Sequence, residues 1–108
     1  MSDPDVNDST APESRIPMPP PSFGFLVLSL RTQAEVHLGL MRFDEEENPE
    51  PDLDMARHVI DLLAILLEKT KGNLEIDERR LLENSVTELR FRFVQVSDEL
   101  AKAAPRKA

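Results

Sequence analysis

The amino-acid sequence predicts an all-α protein, a small three-helix unit that assembles as a dimeric bundle. Apolar residues recur with helical spacing in three separate segments of the 108-residue chain. A proline-rich acidic stretch divides the first segment from the second, and a glycine divides the second from the third. This length accommodates one small domain.

Residues 1–21 are expected to form a disordered, acidic, proline-rich tail. They hold six of the nine prolines and carry a net charge of −3. Such a segment buries too little apolar surface to offset the entropy of ordering. A single helical domain is predicted over 22–100, followed by a frayed C-terminal tail over 101–108.

The first helix is predicted over 23–41, with Ser22 as its N-cap. Gly39 marks a weakening of the last turn. A broad apolar stripe leaves only a narrow polar strip on this helix, so other helices must pack against the apolar stripe from more than one side. The stripe consists of Phe23, Leu26, Val27, Leu30, Ala34, Leu38 and Met41, and is widened by Phe25, Val36 and Leu40.

An acidic loop over 44–52 leads to the second helix, predicted over 53–71. Asp52 is the expected N-cap. Gly72 is predicted to take the left-handed conformation that ends many helices. The apolar face of this helix consists of Met55, Ala56, Val59, Ile60, Leu62, Leu63, Leu66 and Leu67.

The third helix is predicted over 77–97, antiparallel to the second. Its seam repeats with 4-3-4-3-4 spacing through Leu82, Val86, Leu89, Phe93, Val96 and Leu100. The segment LRFRFV also alternates as a strand does, but the sustained heptad and the length favour a helix.

The apolar faces are wider than a lone three-helix unit can bury, so we expect a homo-oligomer, with a dimer favoured and the first helix central. The sequence therefore predicts a non-enzymatic oligomerisation or protein-interaction module whose protein partner is unknown. The expected interface residues are Phe25, Val36, Leu40, Phe91 and Val94.

No motif of catalytic chemistry is present in the sequence, so no catalytic residue and no cofactor are assigned. The chain has no cysteine, no glycine-rich loop and no nucleophile motif. The alternative function is a metal-binding regulator or small metal-dependent enzyme. His58 has Asp54 and Asp61 at helical spacing, and His37 is a further candidate from the first helix.

Charge and hydropathy exclude several classes of partner. The formal net charge is −8, and no basic cluster stands out, so we do not expect nucleic-acid binding. No apolar run approaches the roughly 20 residues of a membrane span. The acidity is local: the tail contributes −3, residues 44–54 contribute −7, and the remainder sums to +2.

Three stretches of the chain resemble a known family. They are LVLSLRTQAEVHLGL (26–40), ARHVIDLLAILLEKTKGNL (56–74) and ELRFRFV (88–94). Together they resemble the bacterial domain-of-unknown-function family 1844. The resemblance implies a short, cytoplasmic, helical bacterial protein and supplies no activity or site residue. Glu75 departs from the Thr or Ser expected as the cap of the third helix.

Overall fold

A computed structural model describes residues 17–41 and 50–103. These residues form three helices and no strand: α1 (Phe23–His37), α2 (Leu53–Lys69) and α3 (Ile76–Ala103). Each helix packs against the other two, which confirms the all-α, three-helix prediction. Most of the predicted tail and acidic loop, and residues 104–108, lie outside the described residues.

The first helix is shorter than its apolar spacing predicts. Its N-cap is Ser22, as expected, but it ends at His37 instead of continuing to residue 41. Gly39 adopts a φ of 78° and donates its backbone N–H to the Val36 carbonyl at 2.9 Å. Leu40 donates to the Glu35 carbonyl at the same distance. These two bonds form a Schellman motif, which stops the helix while the apolar pattern goes on.

The second helix begins as predicted and ends two residues early. The Asp52 carboxylate accepts a hydrogen bond from the Met55 N–H at 3.1 Å, so it is the N-cap. The last helical residue is Lys69. Gly72 has the expected positive φ, 84°, within a turn closed by the Asn73 N–H and the Thr70 carbonyl. Left-handed backbone of this kind favours glycine.

The third helix begins one residue before its predicted start and runs past its predicted end. The Glu78 carboxylate accepts from the Glu75 N–H at 2.9 Å, which is one half of a capping box. Glu75 can therefore precede the helix without being a Ser or Thr. At the other end, residues 98–103 are helical, including three residues that the sequence assigned to the C-terminal tail.

The core lies between the three helices and is small. Leu63, Leu82 and Leu89 are among its largest fully buried side chains. The predicted seam of α3 is confirmed as far as Val96, whereas Leu100 is exposed. The buried apolar set is Val27, Ala34, Leu38, Ala56, Val59, Ile60, Leu63, Leu82, Val86, Leu89 and Val96.

Several residues predicted to lie on buried faces are instead exposed. They are Leu26 and Met41 of the first segment and Met55 and Leu62 of α2. Each helix meets only two neighbours, so a wide apolar stripe cannot be covered along its whole width. This confirms that part of the apolar surface remains in contact with solvent in a single copy of the chain.

Candidate functional site

The helix α1 is apolar around most of its circumference, although only one side faces the core. Val27 and Ala34 are fully buried against the other helices. On the opposite side Phe25 is 38% exposed and Leu28 is 47% exposed. We define the outward face of α1 as the surface at three- and four-residue spacing opposite the core, formed by Phe25, Leu28, Ser29, Thr32 and Val36. Phe25 and Leu28 are its exposed members, and the other three are half-buried.

The five residues of the outward face of α1 are uncharged, and Glu35, three positions after Thr32, lies at the edge of this face. The first charged residues of the helix are Arg31 and Glu35. The Nε of Arg31 donates to Oε2 of Glu35 at 3.3 Å, and its Nη2 donates to Oε1 of Glu88 on α3 at 2.5 Å. Arg31 is therefore paired with a carboxylate of α3, and Glu35 is paired with Arg31 on the same helix.

Arg31 also forms a hydrogen bond with Ser85, the one fully buried polar residue among those that the structure describes. Its Nη1 donates to the Ser85 Oγ at 3.4 Å. Burial opposes the charged form of Arg31, but the hydrogen bonds that it donates to Glu88 and Glu35 and the negative charges of these two residues outweigh that effect. The pKa of the guanidinium is consequently raised above its ordinary value, and the group stays charged.

A groove of about 410 Å³ runs between α1 and α3, beside this cluster of charges. Arg31 and Glu35 line it from α1, and Phe91 and Arg92 line it from α3. Phe91 is 63% exposed and belongs to no buried cluster. The groove therefore places one exposed aromatic ring, Phe91, beside the charged side chains of Arg31, Glu35, Glu88 and Arg92.

A second cleft, of about 290 Å³, lies between α2 and α3. Ile60 and Phe93 supply its buried and half-buried apolar surface, and Val94 is exposed at its edge. Arg57 and Arg90 contribute guanidinium groups. The Cζ of Arg57 lies 5.5 Å from the centroid of the Phe93 ring, within the range of a cation–π contact.

The five predicted interface residues do not form one patch. Phe25 and Val36 share the outward face of α1, and Phe91 lines the α1–α3 groove. Val94 belongs to the α2–α3 cleft, and Leu40 follows the helix end. Leu28 was not among the predicted interface residues. Its spacing from Phe25 and Thr32 was a signal available in the sequence.

The residues of the metal-binding alternative are not gathered into a ligand set. Asp54, His58 and Asp61 are exposed on α2. His37 is half-buried at the end of α1, where its carbonyl accepts from the Asp52 N–H at 2.7 Å. Within residues 17–41 and 50–103, no three His, Asp or Glu side chains converge as metal ligands would. The geometry therefore gives the metal alternative no support.

A third cleft, of about 420 Å³, lies at the turn between α2 and α3. Lys71 and Arg79 line it together with Glu68 and Glu83. Arg79 already pairs with Glu83, with Nε and Oε2 3.0 Å apart. Two cations and two anions balance, so this cleft favours neither an anionic nor a cationic ligand.

None of the described helices is both long and apolar enough to cross a membrane.

Comparison with known proteins places the chain in a family without supplying an activity. No curated protein and no solved structure matches the sequence. The model of one family matches residues 20–95, a span that takes in α1, α2 and most of α3. The chain belongs to the family described as domain of unknown function DUF1844.

Proposed function

We propose that this chain is a non-enzymatic protein-interaction module that forms a homodimer through the outward face of α1. The observation that carries the proposal is the exposure of Phe25 and Leu28 on a helix face without charge. Contiguous apolar surface of this kind marks interaction sites in soluble proteins. We place its action in the bacterial cytoplasm, in keeping with the family resemblance.

The proposed interface extends beyond α1 because one helix face is too small. Stable interfaces bury about 800 Å² on each partner. The α1–α3 groove and Phe91 adjoin the outward face through Arg31 and Glu35, and they supply additional surface. Phe91 is the most exposed aromatic side chain of α3. Aromatic side chains of this kind are frequent anchors at interfaces.

A second copy of the chain suits this surface better than a charged partner does. Two copies of an uncharged face meet without like-charge repulsion, and the neighbouring Arg31 is already paired with Glu35 and Glu88. A twofold axis also makes the contact self-complementary. The uncharged side chains of the outward face therefore support self-association over capture of an acidic or basic protein, and the charges of the adjoining groove lie beside this face.

The side-chain sizes favour an antiparallel pairing of the two α1 helices. Phe25 and Leu28 give the first half of the face its bulk, whereas Ser29 and Thr32 in the middle are small. An antiparallel arrangement places Phe25 opposite Val36 of the partner subunit, so that a large side chain meets a smaller one. The two such contacts lie about 16 Å apart along the helix, given a rise of 1.5 Å per residue.

The first test inserts a charge into the proposed interface. Phe25→Glu should convert the dimer to a monomer in sedimentation equilibrium, because each buried carboxylate would lack a partner. Its helical circular dichroism should persist, because Phe25 is exposed in the single chain. The matched control is Gln95→Glu, at an exposed position of α3, which should remain dimeric. A dimer that survives Phe25→Glu contradicts the proposed face.

The second test reports the orientation of the helices. The chain has no cysteine, so an introduced cysteine can form a disulfide only with another introduced cysteine. A mixture of Phe25→Cys and Val36→Cys chains should form a mixed disulfide on mild oxidation, whereas Phe25→Cys alone should not cross-link. Each chain of the mixture carries one cysteine, so every disulfide joins two chains and requires their Cα atoms to lie roughly 4.4–6.8 Å apart. Efficient cross-linking of Phe25→Cys to itself would indicate a parallel pair.

A further inference from the structure

We infer that the cleft between α2 and α3 binds a segment of another protein that places a carboxylate beside a large apolar side chain. The cleft is formed by Ile60, Phe93 and Val94 together with Arg57, Asp61 and Arg90. It lies apart from the outward face of α1, so this inference does not depend on the proposed dimer.

The cleft combines an apolar surface with an excess of positive charge. Arg57 and Arg90 contribute two guanidinium groups, and Asp61 contributes one carboxylate. Among the described residues, Arg31 and Arg79 pair with carboxylates, whereas neither Arg57 nor Arg90 forms a salt bridge. The two guanidiniums therefore retain donors for an incoming carboxylate, which Arg can bind through two parallel hydrogen bonds.

Arg57 is positioned for such a contact before any partner arrives. Its guanidinium lies over the Phe93 ring, with 5.5 Å between Cζ and the ring centroid. A side chain that is already held in place loses less rotamer freedom on binding. Phe93 in turn packs against the core. The ring therefore gives the guanidinium of Arg57 a contact within the cleft.

The apolar part of the cleft determines the rest of the ligand. Val94 is 56% exposed at its edge, next to the half-buried Phe93. A carboxylate alone would leave this surface in contact with water, and an apolar side chain alone would leave the guanidiniums without a partner. An amphipathic acidic segment satisfies both. A nucleic-acid strand fits less well, because a row of phosphates needs a run of cations and the cleft holds two, with Asp61 beside them.

The test uses two synthetic peptides that differ only in charge, acetyl-LEELLEEL-amide and acetyl-LKKLLKKL-amide. Each is titrated into the full ¹⁵N-labelled chain and followed by amide chemical shifts. The acidic peptide should shift the resonances of Arg57, Asp61, Arg90 and Val94 in a saturable manner, and the basic peptide should not. Equal shifts from both peptides, or none from either, would overturn the inference.

Variants distinguish the cleft from general attraction to a basic surface. Arg57→Ala/Arg90→Ala should weaken binding of the acidic peptide at least tenfold. The control Arg80→Ala/Lys102→Ala removes the same charge from exposed positions elsewhere on α3 and should change the affinity less than twofold. Equal weakening by both double variants contradicts a specific cleft. A (dT)₈ oligonucleotide that binds the same residues more tightly than the acidic peptide would overturn the assignment of a protein ligand.

Discussion

Arg31 of α1 and Glu88 of α3 form an ion pair with 2.5 Å between Nη2 and Oε1, although 57 positions separate them in the sequence. The other two salt bridges of the described residues join positions four apart on one helix. Arg31 also donates to the buried Ser85 Oγ. This one guanidinium therefore links α1 to α3.

The ion pair between Arg31 and Glu88 should couple the two helices measurably. A double-mutant cycle with Arg31→Ala and Glu88→Ala, read from urea unfolding, should give about 0.5–1 kcal/mol, because the side chain of Glu88 is half exposed. Arg79 and Glu83, an exposed pair on one helix, should give about 0.3 kcal/mol. Coupling no larger for Arg31 than for Arg79 would contradict the link between helices.

The pH dependence of this pair follows from the raised pKa of Arg31. Because the pKa of Arg31 is higher in the folded than in the unfolded state, its contribution to stability is fully present at pH values below the unfolded pKa. It is lost only as the pH rises through the raised folded value. The contribution of Arg31 to the free energy of unfolding should therefore be unchanged around neutral pH.

Two glycines near the ends of α1 should respond to alanine in opposite directions. Gly39→Ala should lower the free energy of unfolding by about 1 kcal/mol, because its φ of 78° strains any residue with a Cβ. Gly24→Ala should raise it by about 0.4–1 kcal/mol, since alanine suits the helix better. A Cβ at Gly24 would meet its nearest atom, Cδ2 of Leu81, at 3.8 Å, an ordinary contact. Thermal unfolding of both variants checks the signs, and equal signs would contradict the backbone assignment.

Two apolar side chains of α2 should differ widely in their contribution to stability. Leu63 is fully buried, and Leu63→Ala should cost about 2–5 kcal/mol, most of the stability of so small a unit. Ile65 is 54% exposed, and Ile65→Ala should change stability by less than about 0.5 kcal/mol. Chemical denaturation of the two variants measures the difference, and similar costs would show that the faces of α2 are wrongly assigned.

Phe91 should contribute to association and little to folding. Phe91→Glu should dissociate the proposed dimer or weaken it at least tenfold, since the exposed ring lines the groove beside α1. The matched control is Ile76→Glu, an equally drastic change at a similarly exposed position at the far end of α3. Concentration-dependent light scattering compares the two variants. Association that is lost in Ile76→Glu but kept in Phe91→Glu would show that Phe91 is not part of the interface.

The features that depend on neighbouring residues could be predicted from the sequence. The caps Ser22 and Asp52 were identified because each lies directly before an apolar helical pattern, and both accept the expected backbone N–H. The seam of α3 through Val96 was identified because a heptad needs no knowledge of the rest of the fold. A cap joins residues three positions apart and a heptad repeats every three or four residues, so both are visible in the local sequence.

The features that depend on tertiary packing could not be predicted. The end of α1 at His37 is an exception, because Gly39 gave a local signal for it that the apolar pattern continuing through Leu38 and Leu40 outweighed. The pairing of Arg31 with Glu88 requires the relative placement of two helices. The predicted interface residues were separated for the same reason, with Phe91 in one groove and Val94 in another cleft.

The central claim is that the outward face of α1 joins two copies of the chain, and the mass of the protein in solution tests it most directly. Sedimentation equilibrium of the unmodified chain at micromolar concentration should give twice the 12.2 kDa of one chain. Phe25→Glu should reduce this to one chain without loss of helix. A mass of 12.2 kDa for the unmodified chain at the same concentration would contradict the account.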